Sequence, residues 1–108
     1  MYRKPAGHGD TRIIVLRTAA EQTKGLRGVK SLAWSTVVIF TNVFAGRFFN
    51  TIDCLIPLDI AALDKDGRIL KHWTVNPGVP SIGPMPRGTT QVLEANAGWL
   101  KAVGKKPG

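Results

Sequence analysis

The stretch from Leu55 to Trp73, LIPLDIAALDKDGRILKHW, is an apolar run, a turn and a second apolar run. Leu55, Ile56, Leu58, Ile60 and Leu63 supply bulky and β-branched side chains over a strand length. Asp64-Lys65-Asp66-Gly67 breaks the run, and Arg68 to Val75 returns as a second strand. Asp at the first and third turn positions and Gly at the fourth fit a type I turn closed by a left-handed Gly, the three-residue hairpin with a bulge. A two-residue Asp66-Gly67 turn is the competing form. Asp64 can hydrogen-bond into the turn, which favours the bulged one. The choice matters because a one-residue slip moves every side chain to the other face. Pro57 has no amide donor and belongs where no partner strand needs one. An EF-hand reading of the Asp-rich turn is excluded: counted from Asp64, the twelfth position, where Glu is needed, is Val75.

Asp59 is a carboxylate in an otherwise apolar strand. It is either a perturbed acid or a buried carboxylate satisfied by backbone N–H groups or an Arg, and the second is the commoner arrangement.

Working outward, Thr11 to Thr18 reads as a strand and Ala19 to Lys24 as a short helix. Thr18 and Glu21 have capping-box spacing, and Gly25 is a natural stop. Leu32 to Trp34 is expected to seal part of the core. Val37 to Phe40 is a buried strand, and Arg47 to Thr51 is expected to return as another. The segment 77–88 contains four prolines and cannot continue a sheet or helix, so it is expected to be a functional or disordered loop. Thr89 to Glu94 is a further strand. Asn96 is expected to cap a helix over Ala97 to Val103, with Trp99, Leu100 and Val103 inward and Gly104 as its end. Residues 1–108 thus form one mostly β (α+β) domain, a compact antiparallel sheet or barrel-like body with two short helices. An N-terminal arm spans residues 1–10 and a C-terminal tail 105–108.

The chain has 108 residues, enough for one core. A hydrophobic content of 44% suits a globular protein. The formal charge is +8, from 15 basic and 7 acidic residues, which favours polyanionic partners. The bases are scattered, however, and scattered charge is ordinarily solvated surface. Cys54 is the sole cysteine, so no intramolecular disulfide forms. No apolar run approaches the roughly 20 residues of a membrane span, and no apolar h-region follows the charged start. The expected location is the cytoplasm or an assembled particle, without a signal peptide and without a membrane partner.

Three segments resemble the family called domain of unknown function 192. Gly25-Leu26 followed by Leu32 is similar to its Gly-Leu-Met…Leu segment. Leu55-Ile56-Pro57-Leu58-Asp59-Ile60 with Leu63-Asp64-Lys65-Asp66-Gly67 is similar to its Ile-Pro-Leu-Asp-Ile…Leu-Asp…Asp-Gly core. Val92-Leu93-Glu94 with Ala97-Gly98 is similar to its Val-Leu-Glu…Ala-Gly element. The resemblance covers about residues 13–104 and implies a mostly antiparallel β fold with short helices and no established activity. Members occur across prokaryotes, some with signal sequences, and phage genomes are a further expected source. Pro57, Asp59, Asp64, Asp66, Gly67, Glu94 and Gly98 form the structural hub this pattern marks.

The departures matter as much. Before the central strand the family usually carries Phe-Trp-Met-Lys-Asn-Thr. Here that place holds Phe49-Asn50-Thr51-Ile52-Asp53-Cys54, without the Trp, Met and Lys. Arg27 stands where the family has Met after Gly-Leu. The family tends to run on through Gly-Asp into a final strand where this sequence reads Lys105-Lys106-Pro107-Gly108. That strand is then expected to be lacking or supplied by a partner.

No phosphate-cradling Gly-rich loop with a Lys, nucleophile elbow or paired Cys/His set is present. His8 and His72 are far apart, and a single imidazole makes no metal site. Cys54 could serve as a nucleophile beside a base, but reads better as a small core residue. Trp34, Trp73 and Trp99 could stack on bases, but their apolar neighbours favour packing. Neither cofactor nor catalytic residue is expected.

Three functions compete. The first is a non-catalytic protein-interaction or structural module, such as a minor or decoration component of a phage-type assembly. Its partner-binding candidates are Arg3, Lys4, Pro84, Met85, Arg87, Lys105 and Lys106. The second is nucleic-acid binding through the basic surface. The third is a small-ligand pocket or weak enzyme built on Asp59, Asp53 or Cys54, which requires a concave site and a carboxylate of raised pKa.

Overall fold

The computed structural model describes residues 11–104. In chain order these form β1 (Arg12–Leu16), α1 (Ala19–Lys24), β2 (Thr36–Phe40), β3 (Leu58–Leu63), β4 (Ile69–Val75), β5 (Gln91–Asn96) and α2 (Trp99–Ala102). The five strands make one sheet in the order β1-β2-β5-β3-β4. The mostly β character and the two short helices are as expected. The sheet is mixed, however, because β1 and β2 pair in parallel. A parallel pair needs a long crossover, and residues 17–35, including α1, supply it. The sheet is also open, with β1 and β4 at its edges, and does not close into a barrel.

The central hairpin takes the bulged form. Gly67 N–H donates to the Asp64 carbonyl at 3.0 Å, and Asp64 N–H donates to the Arg68 carbonyl at 2.9 Å. Gly67 has φ of +80°, the left-handed conformation this turn requires. Asp64 Oδ1 accepts the N–H groups of Asp66 and Arg68, both at 2.9 Å. The Arg68 N–H above all, and then that of Asp66, holds the Asp64 carboxyl below its ordinary range. The register shifts between Ala62 and Leu63, leaving Leu70 without a paired residue.

Both faces of the sheet are covered, which explains why Val37 to Phe40 is continuously apolar rather than alternating. Val38, Phe40, Leu58, Ile60, Ala62 and Val92 point to the first face. Val37, Ile39, Ala61, Leu63, Leu93 and Ala95 point to the second. The first face lies under the segments 25–32, 43–56 and 77–88, which contribute Leu26, Val43, Phe49, Cys54, Ile82 and Met85. The second is packed by Ile69, Trp99, Leu100 and, partly buried, Ile13, Val15 and Val103.

Several expectations are corrected by this packing. The Pro-rich segment is ordered along residues 46–51. Phe49 and Ile82 exchange N–H···O bonds of 2.9 and 2.8 Å, and Met85 N–H donates to the Arg47 carbonyl at 2.8 Å. Met85 is therefore a core residue, 2% exposed, and not a partner-facing one. Pro84 and Arg87 are exposed. Arg47 to Thr51 makes a single bridge, Phe49 to Ile82, instead of a strand. Prolines at 80, 84 and 86 lack the donors a longer ladder would use. Gly83 has φ of +136°, and a Cβ there would stand 3.0 Å from the Arg47 carbonyl oxygen, so only glycine lets the two segments meet this closely. Trp34 is half exposed rather than sealed in the core.

The helix ends divide along the same line. Thr18 and Glu21 form the expected capping box at α1, and Gly25 ends the helix. At α2 the N-cap is Gly98, not Asn96. The Asn96 amide instead donates to the carbonyls of Leu32 and Ala33. The cap is supplied by Asp59, which lies 2% exposed on β3. Its Oδ2 accepts the N–H groups of Gly98 at 3.1 Å and Leu100 at 3.0 Å, and its Oδ1 accepts the Thr74 hydroxyl at 2.6 Å. A four-residue helix has no stability of its own. Burial of Trp99 and Leu100, about 2 kcal/mol for each side chain, and the Asp59 carboxylate hold it on the sheet.

Candidate small-molecule pocket

The first face of the sheet carries a pocket of about 220 Å³. Its walls come from the end of α1 and the turn after it (Gln22 to Arg27), from Phe40, from the segment Arg47 to Asn50, from Cys54 and from Glu94. Phe49, Asn50 and Cys54 belong to the segment that departs from the family pattern, so that departure falls on the pocket wall.

Glu94, expected as part of the structural hub, sits on the central strand and also lines the pocket, a position the sequence reading did not assign to it. On β5, Leu93 and Ala95 turn to the second face, so alternation turns Glu94 with Val92 to the first. Its neighbours across the two adjacent strands are Val38 and Ile60. It is 4% exposed, and among the described residues its carboxyl makes no side-chain hydrogen bond. Burial in these apolar surroundings pushes its pKa up to about 7. The available signal was an acid inside the strand Gln91-Val92-Leu93-Glu94-Ala95, at a position both flanking strands must cover.

Basic side chains border the pocket. The Gln22 amide group donates to the carbonyls of Leu16 at 2.9 Å and Thr41 at 2.8 Å, fixing α1 beside the ends of β1 and β2. Gln22 Oε1 accepts from Arg47 Nη1 at 3.2 Å, and the Arg47 guanidinium lies 4.6 Å from the Phe49 ring centre. Arg27 is ion-paired with Asp53. Both partners are about half exposed, so the pair contributes at most about 1 kcal/mol and serves as a local charge balance. Lys24 lies in the last turn of α1.

The other expected chemistry is dispersed. Asp59 is on the second face, committed to α2. Asp53 is exposed in its ion pair. His72 lies exposed on β4, and no cluster of three potential metal ligands occurs among the described residues. No helix among them is long and apolar enough to cross a membrane. Arg3, Lys4, His8, Lys105 and Lys106 lie outside the described residues.

Cys54 is 7% exposed, and its thiol pKa is raised, first by burial and then by the charges of Glu94 and Asp53. It is a protonated core thiol rather than an activated nucleophile. Alkylation by iodoacetamide at pH 8 is expected to run at least about tenfold slower in the folded protein than in urea. Equal rates would remove Cys54 from the core.

The family model of DUF192, described as an uncharacterized ACR, matches residues 2–108. The chain belongs to the DUF192 family. Among solved structures it is similar to a protein of unknown function from Novosphingobium aromaticivorans DSM 12444. The identity is 32% and the TM-score 0.75, over 89% of this chain and 70% of that one. It is also similar to a candidate transcription regulator from Sinorhizobium meliloti 1021. There the identity is 22% and the TM-score 0.81, over 89% and 76% of the two chains. At that identity the second likeness shows the fold alone. No curated protein matches the chain.

Proposed function

We propose that this DUF192 protein is a non-catalytic domain that binds a small polar molecule in the pocket above Glu94. One observation carries the reading: a buried carboxyl with no hydrogen-bond partner among the described residues lines a preformed cavity. Burial strips the ionised carboxylate of part of its hydration, and a ligand donor reaching it from the cavity would offset that cost. A catalytic use is disfavoured because the neighbouring thiol is kept protonated. An NMR-detected screen of small polar fragments tests this. Hits should shift the amides of Gly25, Asn50 and Glu94 together; hits confined to other surfaces would refute it.

A second reading, a protein-interaction module such as a component of a phage-type assembly, has an observation of its own. Phe44, Phe48, Ile52 and Leu55, all in the segment covering the first face, are more than half exposed. Exposed apolar side chains in one segment are a common mark of contact surfaces. The nucleic-acid reading gains less. Arg12 on β1 and Lys71 on β4 occupy opposite edges of the sheet, whereas a binding stripe gathers its bases.

A further inference from the structure

We propose that the pocket takes a small zwitterion of the amino-acid class, with its ammonium group on Glu94 and its carboxylate among Lys24 and Arg47. This assignment rests on the pocket being a binding site. It follows from two charge imbalances in the lining of one small cavity.

At the sheet end, Glu94 is flanked by Val38 and Ile60 and has no donor of its own among the described residues. A carboxylate there can be satisfied by a cation, and an ammonium group offers a charge and three N–H donors in a small volume. The ring of Phe40 also lines the cavity and favours a cation over an anion, while the Phe49 ring already carries the Arg47 guanidinium.

At the helix end the balance is reversed. Arg27 is neutralised by Asp53. Arg47 donates to Gln22, a neutral partner that leaves its charge uncompensated. Lys24 has no ion pair among the described residues. Two cations therefore await an anion, and Arg47 has the donor geometry a carboxylate uses. A simple anion would meet the Glu94 carboxylate, and a simple amine would meet Lys24 and Arg47. A molecule carrying both charges satisfies both ends. At about 220 Å³ the cavity is below the usual range of about 300–1,000 Å³ for drug-sized ligands, which favours a small metabolite.

The charged and titratable groups around Glu94 are Cys54 and Asp53 on one segment, Lys24 and Arg27 at the end of α1, and Arg47. An ammonium bound to Glu94 requires its ionised form, so binding at pH 6 must release a proton and be weaker than at pH 8.

The test is calorimetric and NMR titration of the full chain with each of the twenty L-amino acids. The tightest is then compared with the amine lacking its carboxylate and the acid lacking its amine. The amino acid is expected to bind at least about tenfold tighter than either, the size of one charge-assisted contact. Glu94→Gln should weaken the amino acid and the amine by about tenfold or more and spare the acid. Lys24→Ala, on an exposed helix position, should weaken the amino acid and the acid and spare the amine. The wild-type affinity should rise severalfold from pH 6 to pH 8. An acid that binds as tightly as the amino acid, or an affinity unchanged in Glu94→Gln, overturns the assignment. Fragments of other chemistry shifting the pocket amides while no amino acid does so would overturn it and leave the pocket reading standing. If no compound of any class shifts those amides, both fall.

Discussion

Replacing Glu94 by Gln is expected to abolish a fall in stability of about 3 kcal/mol that the wild-type protein undergoes as pH rises from 4.5 to 8. The unfolded carboxyl titrates near 4.5 and the folded one near 7, so the folded state holds the extra proton between those values. Stability from this group is fully present below pH 4.5 and is lost as pH rises through 7. Above that the loss is complete and the curve flattens. The amount is a large share of a typical domain stability of about 5–15 kcal/mol. Gln carries no charge at any pH, but its buried amide also lacks a partner, an unfavourable contribution that does not vary with pH. The wild-type and variant curves should therefore cross, with the wild type ahead at pH 5 and the variant level or ahead at pH 8. Urea unfolding at pH 5, 6, 7 and 8 measures this. Parallel curves would show that Glu94 is solvated or paired, and would withdraw the pocket's defining group.

The second large effect belongs to Asp59. Asp59→Ala removes the acceptor for the buried Leu100 N–H and the partly buried Gly98 N–H at the start of α2 and for the Thr74 hydroxyl. A buried hydrogen bond to a charged group contributes about 1.5–3 kcal/mol and the two partly buried ones less, so a loss of about 3–5 kcal/mol is expected. Asp59→Asn keeps one acceptor oxygen and should lose about half as much. The damage should be local first. The Leu100 amide should exchange with solvent far faster, and Trp99 fluorescence should shift to the red before the sheet melts. A loss under about 1 kcal/mol for Asp59→Ala would mean that packing of Trp99 and Leu100 alone seats the helix.

These two acids show what was legible in the sequence. The Asp64 turn and the Thr18 capping box were legible because every group involved lies within four residues of its partner. The mostly β character followed from apolar runs of strand length. The parallel pairing of β1 and β2 was not legible, since a connection of this length with one short helix fits either direction. The cap of α2 was misread because its acceptor comes from β3, far away in the chain, and nothing near Gly98 announces it. Met85 looked free in a Pro-rich loop, and only the close pairing of that loop with Arg47 and Phe49 buries it. Asp59 and Glu94 both looked like hub acids. What separates them is whether donors from elsewhere reach the carboxylate, and that is decided by tertiary contacts.

The strand order has a consequence for the order of events during synthesis. β5, at the centre of the sheet, follows the other four described strands in the chain, and it joins β2 to β3 by pairing Val38 and Ile60 with Glu94. Until residues 91–96 emerge, the nascent chain consists of two separate pieces, the β1–β2 crossover and the β3–β4 hairpin, each with an apolar unpaired edge. Neither piece can bury both of its faces. The sheet cannot close before residues 91–96 are made, and the step that closes it also places the Glu94 carboxyl beneath the pocket.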